Sequence, residues 1–324
     1  RTPESGSRRL FKISLLVNAI MFKEFVLPEG VDLDELLKTL RSLSWGAADI
    51  LLAFRRGDQP PFGFSSSFTV EDGEGGPVSS ADLAVNTWLI NGFRQSFPSV
   101  KWDLLSEETI HGDSIKKDSN KLEWLWVIDP LDGTKDFIQG SNNYAVHIAL
   151  LHRNIPVLGV VLIPELEELW FGFVGEGSWY ENRKGEKKLI KFSNRKDLSE
   201  LILVSSKNHR NHFLEKLINQ LDLGDTKSVG SVGCKIATIL RGEADLYISI
   251  SGDSAPKDWD MAAPQAILIA GGGCFTHANG KPLTYNKNNF SQKGCLIATH
   301  GINHDYICSS IIRGMNEIDP SYII

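Results

Sequence analysis

Trp126-Val127-Ile128-Asp129-Pro130-Leu131-Asp132-Gly133-Thr134-Lys135-Asp136-Phe137 is the stretch on which the reading of this chain turns. Its apolar first half has the pattern of a buried strand, and that strand delivers Asp129 and Asp132 into a tight turn. Pro130 fixes one backbone angle, Leu131 keeps a carbonyl free, and Gly133 lets the main chain come close to a ligand. Thr134 can then open a helix whose unpaired amides attract phosphate. Two carboxylates at one strand end suit hard cations with oxygen ligands. Asp-Gly is also a common solvated turn, so the stretch alone leaves both readings open.

A covalent route from this turn is excluded. The haloacid-dehalogenase signature, Asp-x-Asp-Gly-Thr, needs a nucleophilic aspartate two positions before the second one, and Pro130 stands there instead. Three further segments add carboxylates. Leu104-Leu105-Ser106-Glu107-Glu108 reads as an apolar strand end with an acidic pair, and Lys257-Asp258-Trp259-Asp260-Met261 precedes an apolar helix. Pro77-Val78-Ser79-Ser80-Ala81-Asp82-Leu83 puts Asp82 in a first helical turn, a position that the helix dipole favours for any carboxylate. Taken singly, each is equally a solvated loop or a helix cap.

Together and in this order, the four segments resemble the lithium-sensitive, magnesium-dependent phosphatases of the inositol monophosphatase superfamily, from about Asp32 to beyond Tyr285. Asp-Pro-Leu-Asp-Gly-Thr-Lys-Asp-Phe looks like the 3′(2′),5′-bisphosphate nucleotidase branch. Asp136 stands where inositol monophosphatases usually carry Asn. Gly233-Cys234-Lys235-Ile236 and Trp259-Asp260-Met261-Ala262-Ala263-Pro264-Gln265 are similar to the nucleotidase pattern as well. The resemblance implies a magnesium site of two or three ions held by Glu107, Asp129, the Leu131 carbonyl, Asp132 and Asp260. It implies that Asp82 holds Thr134 to orient the attacking water, with Glu107 sharing the catalytic role and Glu108 assisting, while the amides of Gly133 and Thr134 grip the phosphate. The family commonly has a lysine before the Asp82 segment; here the loop reads Val70-Glu71-Asp72-Gly73-Glu74, and Ser80 replaces the usual Thr.

Physical chemistry agrees with such a site. A phosphate monoester is anionic and repels hydroxide, so hydrolysis needs charge neutralised, a water activated and a leaving oxygen supported. Positioning and electrostatics then carry most of the catalysis, which suits motifs lacking a nucleophilic residue.

The chain has 324 residues, 42% of them hydrophobic, with a formal net charge of -6, enough for substantial cores. Mild acidity argues against broad binding of a nucleic acid polymer, while a free nucleotide can be met through bound cations. Cys234, Cys274, Cys295 and Cys308 lack zinc-site spacing and fit reduced thiols better than a disulfide framework, so a cytoplasmic protein is expected. Residues 1–30 read as an arm or upstream extension. The apolar run from Leu10 to Phe22 is interrupted by Lys12 and Asn18 and is too short to span a bilayer.

Asp32 is a helix N-cap for a helix to about Arg56, stopped by Gly57. Residues 59–76, rich in Gly, Pro and Ser, read as a mobile loop or hairpin. A second helix runs from about Ser80 to Phe97. Strand-like runs at Tyr144–Leu151, Val157–Ile163 and Leu169–Val174 suggest an antiparallel sheet, with a hairpin at Asn182–Gly185. Beyond Lys196 strands and helices alternate, which predicts an α/β layer. The expected fold class is therefore α+β passing into α/β. One unit over residues 31–195 holds most ligands, and a second over 196–324 supplies Asp260. The resemblance implies the layered αβαβα sandwich with the site between its halves.

Lys135 and Lys235 read either as partners of a second phosphate or as solvated surface lysines. His209 reads as a ligand contact after a strand or as a helix start, and His147 and His152 as sheet residues. The expected activity is removal of the 3′-phosphate from adenosine 3′,5′-bisphosphate by a magnesium-activated water attacking in line. The alternatives are an inositol- or sugar-phosphate phosphatase and a non-catalytic descendant that binds nucleotide.

Overall fold

The computed structural model describes residues 27–73, 75–110, 123–206, 212–252, 254–287 and 289–321. His209 and nearly all of the amino-terminal arm lie outside these residues.

The first helix among the described residues, α1 (Leu33–Arg56), has the bounds its sequence signals predict. The Asp32 carboxylate accepts from the Glu35 amide at 3.0 Å, and Gly57 closes the helix at φ 72°, a left-handed conformation suited to glycine. The loop that follows contains a hairpin of β1 (Val70–Gly73) and β2 (Gly76–Ser79). This hairpin leads directly into α2 (Ser80–Ser96).

A seven-stranded sheet comes next. It consists of β3 (Asp103–Ser106), β4 (Trp124–Asp132), β5 (Ala145–His152), β6 (Ile155–Ile163), β7 (Glu168–Phe173), β8 (Gly177–Glu181) and β9 (Lys187–Leu189), in that order. β3 and β4 are parallel and every later pair is antiparallel. Two short helices interrupt the run: α3 (Glu107–Ile110) after β3, and α4 (Thr134–Ile138) after β4.

The second half supplies β10 (Ile202–Ser205), α5 (His212–Gln220), β11 (Asp225–Ser228), α6 (Val232–Leu240), β12 (Leu246–Ser251), α7 (Asp258–Ala270), β13 (Cys274–His277), β14 (Gly294–Thr299) and α8 (His304–Ile318). Its five strands form a mixed sheet in the order β11-β10-β12-β14-β13.

Strand alternation explains the layers. On β4, Trp124, Trp126 and Ile128 face α1 and α2, whereas Leu125 and Val127 face α6 and α7. On β14, Leu296 and Ala298 share the core of α6 and α7, while Cys295 and Ile297 pack with α5 and α8. Both sheets are thus buried on two faces, and the order helix pair, sheet, helix pair, sheet, helix pair is the expected αβαβα sandwich.

One row of small residues seats α7. Ala149, Gly159 and Gly172 are register partners across β5, β6 and β7. A Cβ on Gly159 would lie 2.6 Å from the Ala263 carbonyl oxygen, and one on Gly172 would lie 2.4 Å from Ile267 Cα. Only glycine lets the helix approach the sheet so closely, and that approach carries Asp260 to the end of β4.

Candidate metal centre

In a regular strand, residues three apart point to opposite faces. Between Asp129 and Asp132 the register with β5 shifts: Asp129 still pairs with His147, but Asp132 pairs with Ala145. Pro130 and Leu131 form this irregularity, which lets both carboxylates serve one side. Gly133 follows at φ 91°, and a Cβ there would lie 3.0 Å from the Asn143 carbonyl oxygen.

Protein contacts orient each carboxylate. Asp129 Oδ1 accepts from the Leu131 amide at 3.0 Å. Asp132 Oδ2 accepts from Ser231 Oγ at 2.7 Å and the Val232 amide at 2.5 Å, so it caps the amino end of α6. Asp260, third residue of α7, accepts from the Lys257 amide at 2.6 Å. Asp129, Asp132 and Asp260 each offer an oxygen, and these oxygens lie within 4.8 Å of one another.

Asp82, third residue of α2, accepts from the Ser79 amide at 2.8 Å and from Ser79 Oγ. Its other oxygen accepts from Thr134 Oγ1 at 2.9 Å, and the same hydroxyl lies 3.0 Å from the Leu131 carbonyl oxygen. Glu107 stands outside the trio but shares its electrostatics. Its carboxyl is raised well above the ordinary range by burial first, then by Asp260, Glu108, Asp82 and Asp132. A side chain on Gly75, at the β1–β2 turn, would come 3.9 Å from Glu107 Oε1, so the hairpin tip lies against this residue.

The other acids show the same stress. Asp129 is raised well above the carboxylate range by burial, then by Glu107, Asp132 and Asp260. Asp260 is pushed up to about 7 by burial and Asp132, and Glu108 to about 7 by burial and Asp82. Crowded, buried negative charge of this kind is relieved by protons or by a cation. The donors are all oxygens, with neither thiolate nor imidazole within the trio, which fits magnesium better than a transition metal.

Thr134 opens α4 directly after Gly133, and Lys135 is exposed. Lys235 is not the solvated surface lysine that is one of its two readings from the sequence. Its side chain is only 2% exposed; Nζ donates to the Ser231 carbonyl oxygen at 3.2 Å and lies 5.3 Å from the Tyr247 ring centre. Burial pulls its pKa below the usual lysine range, against Asp132 and more distant acids. As placed, its amine is sealed near the carboxylates and is not a surface group.

Sequence reading missed Ser231 and the Val232 amide as holders of Asp132. No local signal marks them, since they lie about a hundred residues away and meet it only through folding. His152, read as a sheet residue, ends β5 and stacks on Trp124 at 4.2 Å.

The layered sandwich gathers carboxylates from separate elements at one strand end, a group that could hold a hard cation beside a helix start. Residues 32–314 match the family model described as the inositol monophosphatase family. The chain therefore belongs to the inositol monophosphatase family, a group of magnesium-dependent phosphatases. It is 29% identical over 266 residues to the 3′(2′),5′-bisphosphate nucleotidase CysQ of Escherichia coli K12, covering 82% of this chain and 100% of the relative. Against the Salmonella typhimurium nucleotidase of the same name, identity is 33% over 209 residues, or 64% of this chain and 79% of the relative. The fold is shared with the Thermotoga maritima IMPase at a TM-score of 0.66 and 24% identity, covering 88% of this chain and 98% of that one. It is shared with the extragenic suppressor protein SuhB of Bartonella henselae at 0.68 and 23%, covering 87% and 98%. Among the described residues no helix is long and apolar enough to cross a membrane.

Proposed function

We propose that this phosphatase is a 3′(2′),5′-bisphosphate nucleotidase that releases the 3′-phosphate of adenosine 3′,5′-bisphosphate. The observation that carries the reading is the trio Asp129, Asp132 and Asp260, brought within 4.8 Å in a chain whose compared relatives are named as that nucleotidase. Magnesium, when bound, neutralises phosphate charge and lowers the pKa of water. Asp129, Asp132, Asp260, Glu107 and the Leu131 carbonyl are its proposed holders.

The chain's own groups then do the orienting. Thr134 Oγ1 has one proton and two acceptors in reach, Asp82 Oδ1 and the Leu131 carbonyl oxygen. Directed at Asp82, that proton leaves the hydroxyl's lone pairs to accept from the attacking water and leaves the Leu131 carbonyl unspent. The Gly133 and Thr134 amides, at the start of α4, are placed to donate to the phosphate. Lys135 is the exposed cation available to the second phosphate. Glu108 stands beside Asp82 as an auxiliary acid. We place the enzyme in the cytoplasm, in keeping with four unbridged cysteines, and expect lithium to inhibit it.

The test is phosphate release from adenosine 3′,5′-bisphosphate with and without magnesium, beside inositol 1-phosphate. Magnesium-dependent release from the nucleotide with little from the inositol ester is expected. Preference for the inositol ester would replace this reading with the inositol-phosphatase one, and no release from either would favour a binding protein.

A further inference from the structure

His147 lies on β5 directly opposite Asp129, on a face otherwise occupied by Ala145, Ala149 and Leu151. Its side chain is wholly buried. Nδ1 lies 3.3 Å from the Trp259 carbonyl oxygen, one residue before Asp260. Nε2 lies 3.3 Å from Asp132 Oδ2 and makes no hydrogen bond there or elsewhere. An apolar side chain would satisfy the packing on this face at no polar cost, so the imidazole needs another explanation.

The ring bridges the two segments that carry Asp132 and Asp260, which come from different layers. It also has no room to turn. A Cβ on Gly233, in the first turn of α6, would lie 2.4 Å from His147 Nε2 and 2.7 Å from Val161 Cγ1. Asp132 Oδ2 is thus enclosed by Ser231 Oγ, the Val232 amide and the edge of this ring. The imidazole edge, 3.3 Å from that oxygen, therefore limits how far the carboxylate can turn.

We propose that His147 is a positioning residue: it fixes the orientation of Asp132 and its separation from Asp260, so that the two carboxylates face one ion. The inference rests on the reading that Asp132 and Asp260 are metal ligands. Groups that hold ligands in this way change metal affinity by about 10- to 100-fold when removed.

The experiment is Mn2+ binding to the full, chelator-stripped chain, followed by the loss of the free-ion paramagnetic resonance signal. Circular dichroism confirms that each variant is folded. Wild type binds and Asp260→Asn does not, which tests the ligand reading by itself. His147→Leu is expected to weaken Mn2+ binding about 10- to 100-fold, and His147→Gln, which keeps a polar group beside Asp132 in place of the 3.3 Å imidazole contact, to recover part of it. In phosphate release, the magnesium concentration for half-activity rises while the KM for the phosphate ester stays fixed. Gly233→Ala, which displaces the ring without changing it, should copy His147→Leu and decides the matter if His147→Leu does not fold. A folded His147→Leu or Gly233→Ala that binds Mn2+ within twofold of wild type, while only melting earlier, would make His147 a packing residue and overturn the proposal.

Discussion

Replacing Asp260 by Asn should stabilise the protein in a chelator at pH 8 and destabilise it, relative to wild type, once magnesium is added. Burial, then the Asp132 charge, lifts Asp260 from its ordinary 3.8 to about 7. A carboxyl raised in the folded state costs stability as pH climbs: nothing below about 4, the full amount above about 7. At 1.36 kcal/mol per tenfold shift the cost is about 4 kcal/mol, and water reaching a partly exposed side chain reduces it to about 2. With an unfolding entropy of about 2.1 cal/mol/K per residue over 324 residues, this corresponds to a melting difference of about 3 °C. His304 acts in the opposite direction, because burial pulls its pKa to about 4 and stability is lost as pH falls from its ordinary 6.5. It is common to both proteins, so the difference between them isolates Asp260. Asn has nearly the same shape and keeps an oxygen for the Lys257 amide, so at pH 5, little more than a third of the way from 3.8 to about 7, the gap between the two proteins should shrink to less than half its pH 8 value. Magnesium at a hundredfold over its Kd should raise wild type by about 2.7 kcal/mol and leave the variant nearly unchanged, which reverses their order. Calorimetry at the two pH values, with chelator and with magnesium, reads all of this. An Asn variant that melts below wild type at pH 8 in chelator would refute the argument that buried charge dominates this site.

Three further outcomes follow from contacts at and behind the site. Asp129→Asn keeps an acceptor for the Leu131 amide but loses a ligand charge, so turnover should vanish while the variant stays folded by circular dichroism and, in chelator at pH 8, melts above wild type because the same crowded buried charge is relieved; retained magnesium-dependent turnover contradicts the assignment. Thr134→Val removes the hydroxyl between Asp82 and the Leu131 carbonyl and should lower kcat about 100-fold or more, whereas Thr134→Ser should stay within about tenfold. Equal losses in the two, measured at steady state, would mean that the methyl group rather than the hydroxyl matters. Gly172→Ala drives a Cβ to 2.4 Å from Ile267 Cα and should cost about 1 to 3 kcal/mol in urea unfolding, with a lower kcat from the displaced α7. No change in either would show that the helix has slack over the sheet.

Local signals in the sequence carried far. Asp32 and Gly57 gave both ends of α1, because caps act within a single turn. The apolar run before Asp129 gave β4, and the later alternation gave the second sheet. The four acidic segments were legible because each sits at an element boundary with its own spacing signature. What resisted reading depends on distance along the chain. Ser231 says nothing about Asp132 until α6 docks against β4. Lys235 sits on a helix that is buried all round, and no periodicity distinguishes a lysine facing inward there from one at a surface. His147 belonged to an evident strand, yet its contact with Asp132 arises only from the irregularity at Pro130 and Leu131, which sequence alternation cannot place.

The capping of α6 by Asp132 has a consequence for synthesis. The larger sheet is made from chain that leaves the ribosome well before Ser231, Val232 and Asp260, and its pleated core can form early. Until the central helices arrive, Asp132 has nothing to turn toward and the ion has only part of its cage. On the proposed ligand set, hydrolytic competence belongs to the chain only once α6 and α7 have docked. A chain ending before residue 230 would lack both Asp260 and the helices that cover one face of the larger sheet, and is expected to be catalytically silent.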